Sequence, residues 1–167
     1  MSTTIRNEVR PGDLGQIVAL HGTIYAREYG FDRTFEAYVA GPLAEFVLKS
    51  APRDRIWIAE RDDRIVGCIA IVGVSDEVAQ LRWYVVDPSA RGLGLGKRLL
   101  AAALTFCKEK EYRTVFLWTV SALKAAAELY RQAGFVKVEE NAGRPWGVDV
   151  VEEKYVLELA QEQAHAP

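Results

Sequence analysis

Residues 87–100, DPSARGLGLGKRLL, constrain this chain more than any other stretch. Three glycines on alternate positions, Gly92, Gly94 and Gly96, follow the β-rich run LRWYVV. They lead straight into LGKRLLAAALTFCKEKE, where Leu95, Leu99, Ala103 and Phe106 recur at helical spacing. A strand that becomes a helix over so few residues needs a backbone relieved of side chains. It also presents amide N–H groups at the positive end of a helix dipole, which suits an anion and phosphate above all. Arg91, Lys97 and Arg98 add formal positive charge around the same point.

The rest of the chain surrounds that loop with alternating textures. Asp13 reads as an N-cap with Gln16 three residues on, opening a first helix that stops at Gly30. A second helix starts near Arg33, with a break expected at Gly41–Pro42 because proline disrupts helix interiors. RIWIAER and RIVGCIAIVGV, joined by a DD turn, read as a hairpin, and VAQLRWYVVD is a third β-run ended by Pro88. After the long helix comes the strand RTVFLWTV, then the helix SALKAAAELYRQAG with Ser121 as N-cap and Gly134 as stop. FVKVEE and VDVVEEKYVLEL are the last strands, and AQEQAHAP reads as a frayed tail. The expected order is βααβββαβαββ, an α/β domain with helices folded onto a mixed sheet. With 167 residues, no internal repeat and no long linker, a single domain is expected over residues 1–167.

Composition narrows the function classes. A net charge of -2 gives no basic field for nucleic acid, so the loop cations must be read as a local site. No apolar run reaches the ~20 residues of a membrane span, and MSTTIRNEVRPGD has no signal-like core. Cys68 and Cys107 lie far apart, with only His21 and His165 to assist, so neither a zinc site nor a disulfide framework is expected. Two reduced thiols suit a cytoplasmic location.

Two familiar phosphate loops fail. A Walker A loop needs one more residue between Gly92 and Gly96, and a Ser or Thr where Arg98 stands. A dinucleotide fingerprint needs glycine where Lys97 stands, and should follow the first strand of a βαβ unit. The pattern Arg91-x-x-Gly94-x-Gly96 after Val-Asp-Pro instead resembles the acyl-CoA pyrophosphate loop of GNAT-type N-acetyltransferases. LYRQAGF, residues 129–135, resembles the second landmark of that superfamily, and the resemblance extends over residues 4–159. LRWYVVDPSARGLGLGKRLL, TVFLWTVSALKAAAELYRQAGF and HGTIYAREYG look like the acetyltransferase half of bacterial MarR–GNAT fusion proteins, here without the MarR part.

The resemblance implies a GNAT fold, a mixed and mostly antiparallel sheet with helices on both faces. It implies acetyl-CoA as cosubstrate, held by backbone groups of Tyr84, Val85 and Val86 and by the loop residues Arg91, Gly92, Leu93, Gly94, Leu95, Gly96 and Lys97. It implies acetyl transfer to an unidentified amine in a ternary complex, without a metal, nucleic acid or membrane, by a monomer or homodimer. The alternative is a catalytically silent acyl-CoA sensor or partner protein.

Such a transfer needs a neutral amine, yet a lysine-like amine with pKa ~10.4 is neutral in only about one molecule in 2,500 at pH 7. Glu28 and Glu77 are the candidate bases, Glu77 through water. By resemblance Tyr130 is the general acid for the leaving thiolate. On the stripe Leu123, Ala126, Ala127, Tyr130 the plainer reading is a core tyrosine. His21, Tyr25 and Glu28 fall on the inward stripe of the first helix and, with Trp146, form a candidate acceptor wall. A satisfied core histidine, an edge glutamate and a packing tryptophan are the plainer readings of His21, Glu28 and Trp146. Arg144 and Asp149 belong to the same closing loop. Many family members carry an Asn where this chain has Leu123, so that cofactor contact is expected to be lost or made instead by Ser121 or Lys124.

Overall fold

The computed structural model describes residues 2–160, so the expected frayed tail lies largely outside the described residues. The elements run β1 (Thr4–Arg6), α1 (Asp13–Tyr29), α2 (Arg33–Lys49), β2 (Arg55–Arg61), β3 (Arg64–Gly73) and β4 (Val78–Val86), then α3 (Leu95–Glu109), β5 (Thr114–Val120), α4 (Lys124–Ala133), β6 (Val136–Gly143) and β7 (Val150–Glu158). The strands form one seven-stranded sheet in the order β1-β2-β3-β4-β5-β7-β6. Every neighbouring pair is antiparallel except β4 with β5. α3 and α4 cover one face through Leu95, Leu99, Phe106, Ala127 and Tyr130, and α1 and α2 cover the other through Ile17, Ile24, Phe35, Val39 and Leu43. The expected element order and layering are therefore observed. No described helix is long and apolar enough to cross a membrane.

Two irregularities shape the middle of this sheet. The parallel pairing of β4 and β5 runs only from Val78–Thr114 to Gln80–Phe116. β4 then continues beside β3 as far as Val86, and β5 beside β7 as far as Val120, with no further ladder pairs between them. A notch opens where they part.

The second irregularity is a β-bulge. Cys68 pairs with Val85 and Ala70 with Arg82, so two residues of β4, Trp83 and Tyr84, stand opposite Ile69 alone. Trp83 takes a left-handed φ of 50°, and the Cys68 thiol donates to its carbonyl at 3.1 Å. The bulge exchanges the faces of the strand: Ala79 and Leu81 belong to the α3–α4 core, Trp83 and Val85 to the α1–α2 core.

Three local expectations need correcting. Asp13 does not cap α1; Gly12 holds the cap position in a left-handed conformation without a side-chain bond. The Asp13 carboxylate is buried and accepts from Arg6 Nη1 at 2.7 Å, Arg6 Nη2 at 2.8 Å and the Arg10 N–H at 2.6 Å. Arg6 also reaches Glu60 at 3.0 Å, so one guanidinium ties β1 to both α1 and β2.

Nor does Pro42 break α2, which runs unbroken as 17 residues. The stripe Phe35, Val39, Leu43 is buried on the sheet. Three such side chains, at about 1.5–3 kcal/mol each, outweigh the ~3 kcal/mol that an interior proline costs. Ser121, finally, remains tied to β7 by its N–H to Val151 O at 2.9 Å, and α4 begins at Lys124 with Leu123 at the cap position.

Candidate active site

The notch between β4 and β5 opens into a cavity of about 970 Å³. One end is built from the loop after β4 and the start of α4, the other from α1, α2 and Trp146. β4 crosses its floor, and the backbone edge of its second half faces the notch without a strand partner there.

At the loop end, Asp87 accepts from the Ser89 N–H at 2.9 Å and the Ser89 hydroxyl at 2.6 Å, fixing the Pro88–Ala90 turn that carries the chain out of the sheet. Gly92 and Gly94 then adopt φ of 79° and 77°, and a Cβ at either would meet no protein atom within 4 Å. Gly94 caps α3 without a side-chain bond, so the first-turn amides of Leu95, Gly96 and Lys97 point outward as free donors. Gly96 is constrained differently: a Cβ there would lie 3.0 Å from the Tyr84 hydroxyl, which donates to the Gly96 carbonyl at 2.5 Å. That bond holds the loop against β4. The glycine backbone, the free amides and the nearby Lys97 and Lys124 fit a pyrophosphate. Leu93 is 68% exposed and does not line the cavity.

Of the two carboxylates expected to serve as base, the one that lines the cavity is already engaged. Glu28 accepts from Arg91 Nη1 at 2.5 Å and Nη2 at 3.2 Å, while Arg91 Nε donates to Val86 O at 3.1 Å. This pair spans from α1 to the loop and engages both oxygens of Glu28. Glu77 sits outside the cavity at the opposite end of β4, where β4 and β5 still pair, and its carboxylate lies 3.5 Å from Arg113 Nε. Asp149 is likewise outside, paired with Arg144 at 2.7 Å and 84% exposed.

His21 is 3% exposed and lines the cavity. Its Nδ1 lies 2.8 Å from the Ile17 carbonyl, which can only accept, so Nδ1 carries the proton and Nε2 is a bare acceptor. Nε2 has no partner among the described residues. Burial drives the imidazole pKa down to about 4, so this ring stays neutral and is too weak a base to hold an amine's proton at pH 7.

Tyr130, 4% exposed, packs its ring against Tyr84, Phe135 and Tyr155 at centroid distances of 6.0, 5.7 and 5.8 Å, and it lines the cavity. Burial first, then the neighbouring tyrosines, push its phenol well above the ordinary tyrosine value. The group is therefore a proton donor throughout the neutral range. Tyr25 is shifted the same way by the same cause.

Residues 20–135, more than half of the chain, match the Acetyltransferase (GNAT) family. The chain belongs to that family. It is 31% identical over 145 residues to an uncharacterized N-acetyltransferase, MJ1207, of Methanocaldococcus jannaschii, covering 81% of this chain and 62% of the relative. It is 28% identical over 127 residues to the uncharacterized N-acetyltransferase YjgM of Escherichia coli, covering 73% and 76%. With human N-acetyltransferase 8B it shares 30% identity over 115 residues, 65% of this chain, and so spans about half (51%) of that protein. Among solved structures, an acetyltransferase of the GNAT family from Staphylococcus aureus superposes with a TM-score of 0.76 at 19% identity, covering 95% of this chain and all of the other. A Salmonella typhimurium protein, yncA, solved with acetyl-CoA as its cofactor, does so with a TM-score of 0.76 at 16% identity, covering 97% and 96%. The fold is thus the GNAT fold. Among the described residues no group of His, Cys, Asp and Glu is placed to hold a metal ion.

Sequence reasoning brought Tyr84, Val85, Val86, the loop, Tyr130, His21, Tyr25, Glu28 and Trp146 to one cavity, and left out other lining residues. Phe35, Tyr38 and Val39 of α2 form a wall that this GNAT chain signals by the spacing Phe31, Phe35, Tyr38. Thr119 lines the notch with a buried hydroxyl lacking a protein partner. Leu123 and Lys124 both line the cavity and Ser121 does not, which leaves Lys124 as the polar group beside the family's Asn position.

Proposed function

We propose that this chain transfers the acetyl group of acetyl-CoA to a primary amine, by direct attack within a ternary complex. The observation that carries the reading is the notch where β4 and β5 part, with the glycine loop at one end and the Tyr130 phenol in its wall. Acetyl-CoA supplies an activated thioester when bound. Free amides of the loop and Lys97 hold its pyrophosphate, and the open edge of Tyr84, Val85 and Val86 pairs with its amide-bearing arm as a short added strand.

In the transfer, the amine nitrogen forms a bond to the acetyl carbon and the carbon–sulfur bond breaks. Tyr130 gives its proton to the departing sulfur and regains one from solvent. With Glu28 paired, Glu77 outside and His21 too weakly basic, the amine loses its own proton to water. The apolar walls favour its neutral form by desolvation.

Within the family we place the chain beside the acetyltransferase half of MarR–GNAT fusions, on the loop and LYRQAGF blocks quoted above. We read it as a single domain acting in the cytoplasm, as monomer or homodimer; two free, buried cysteines suit a reducing compartment.

Titration calorimetry with acetyl-CoA, together with thiol release over an amine panel, tests the reading. Micromolar binding that Lys97→Glu weakens, with turnover on at least one amine, is the expected result. Wild-type protein that fails to bind acetyl-CoA would overturn it.

A further inference from the structure

The acceptor end of the cavity has an unusual composition. Tyr25, Phe31, Phe35, Tyr38 and Trp146 converge there from α1, the α1–α2 turn, α2 and the β6–β7 loop. Their rings form a continuous set: Tyr25 to Phe35 at 4.6 Å, Phe35 to Trp146 at 5.0 Å, Phe31 to Trp146 at 5.0 Å and Tyr38 to Trp146 at 5.4 Å. His21 stacks on Tyr25 at 6.2 Å with the planes 7° apart, which adds the unpartnered Nε2 to the same wall. Tyr38 is 50% exposed, so the aromatic surface continues to the rim.

Charge points the same way. Among the described residues only two carboxylates line the cavity, Glu28 and Glu152, and Arg91 already holds Glu28. Arg82, Arg91, Lys97 and Lys124 are the lining cations. Arg82 itself lies over the Trp83 ring at 4.8 Å, occupying one face that a guest cation would use. With Lys97 and Lys124 at the loop end and Arg91 paired with Glu28, a polycationic amine meets aromatic carbon and Arg82, with no cluster of acids to replace its water. An amine with a flat apolar body finds ring faces and edges to bury against.

We propose that the acceptor is a small aryl-alkyl amine, its ring seated against Phe35, Tyr38 and Trp146. This rests on the acetyl-transfer reading and narrows it. The transfer is the one written above, with the aryl-alkyl amine as nucleophile and free CoA and the N-acetyl amine as products.

The test measures thiol release from acetyl-CoA with 2-phenylethylamine and tryptamine against butylamine, spermidine and an aminoglycoside. Calorimetry of acetyl-CoA alone runs alongside. The aryl-alkyl amines should exceed the others in kcat/KM by about ten-fold or more, since single methylene differences already give that order in apolar pockets. Trp146→Ala should raise KM for 2-phenylethylamine several-fold. Because Trp146 is also packed, Tyr38→Ala at the exposed rim serves as second variant, and acetyl-CoA affinity should stay unchanged in it. Preference for spermidine or the aminoglycoside, with acetyl-CoA still bound, overturns the aromatic assignment and leaves acetyl transfer standing. So does binding of acetyl-CoA with no turnover of the aryl-alkyl amines. Loss of acetyl-CoA binding in the wild-type protein instead removes the underlying reading, and this inference with it.

Discussion

Replacing Tyr130 by phenylalanine isolates one hydroxyl. The ring keeps its neighbours Tyr84, Phe135 and Tyr155, and no hydrogen bond to the Tyr130 hydroxyl is present among the described residues. Folding stability should therefore change by less than about 0.5 kcal/mol, since no partner is left unsatisfied. Turnover should respond quite differently. A thiol of pKa ~8.5 leaves as an anion at pH 7 unless a proton is delivered. General acids are worth about 10²–10⁴ in rate, and a leaving group so close to neutrality lies at the low end. We expect kcat to fall about 100-fold, or ~2.7 kcal/mol of barrier, with acetyl-CoA affinity retained. The deficit should narrow as pH rises past ~8.5, where the thiolate needs no donor. Thiol release from pH 6.5 to 9.5, a melting curve and calorimetry read these three quantities separately. Undiminished kcat in the variant would falsify the acid role, and a fall in melting temperature matching the loss of rate would mark Tyr130 as packing.

Three further outcomes follow from the geometry. Asp13→Asn should cost about 3 kcal/mol, the low end for breaking a buried ion pair, because Glu60 still engages Arg6. The bonds from Arg6 hold the Asp13 pKa low in the fold, so its contribution is full above the unfolded value of about 3.9 and disappears as pH falls through the folded one. Denaturant melts at pH 7 and at successively lower pH should therefore show the variant's deficit shrinking in acid. Gly94→Ala should lose ~1 kcal/mol from its left-handed φ of 77° alone, with no clash, as read by urea unfolding. Glu28→Gln should lower KM for acetyl-CoA by releasing Arg91 toward the loop, at a stability cost below about 1 kcal/mol for a partly exposed pair. A 100-fold drop in its kcat would instead restore Glu28 as the base.

The loop was legible because its chemistry is local. Alternate glycines, a preceding Val-Asp-Pro and a following apolar helix require one another within fourteen residues, 87–100. The β4 bulge was not. Ala79, Leu81, Trp83 and Val85 alternate without interruption, yet the left-handed Trp83 sends the last two to the opposite face. Period-two patterning records whether a side chain is buried and not which of two cores receives it. Asp13 misled for a similar reason. A carboxylate before a helix suggests a cap, and only the tertiary approach of Arg6 on β1 claims it instead. The Glu28–Arg91 pair joins residues 63 apart in sequence, a distance over which no spacing rule operates.

Strands that part inside a sheet leave main-chain donors and acceptors bare, and such an edge ordinarily invites another polypeptide. Here the bare edge of β4 lies at the bottom of a slot whose two sides are α1 and α4 and whose outer limits are the still-paired strands β3 and β7. A foreign strand would need about 4.8 Å of lateral room along several residues, with space for side chains above and below. A slender chain carrying a few amides and no side branches needs that spacing too, but no space for side chains. On the proposed acetyl-transfer reading, the slot selects by girth: a thin amide-bearing arm can pair with backbone that a bulkier polypeptide cannot reach.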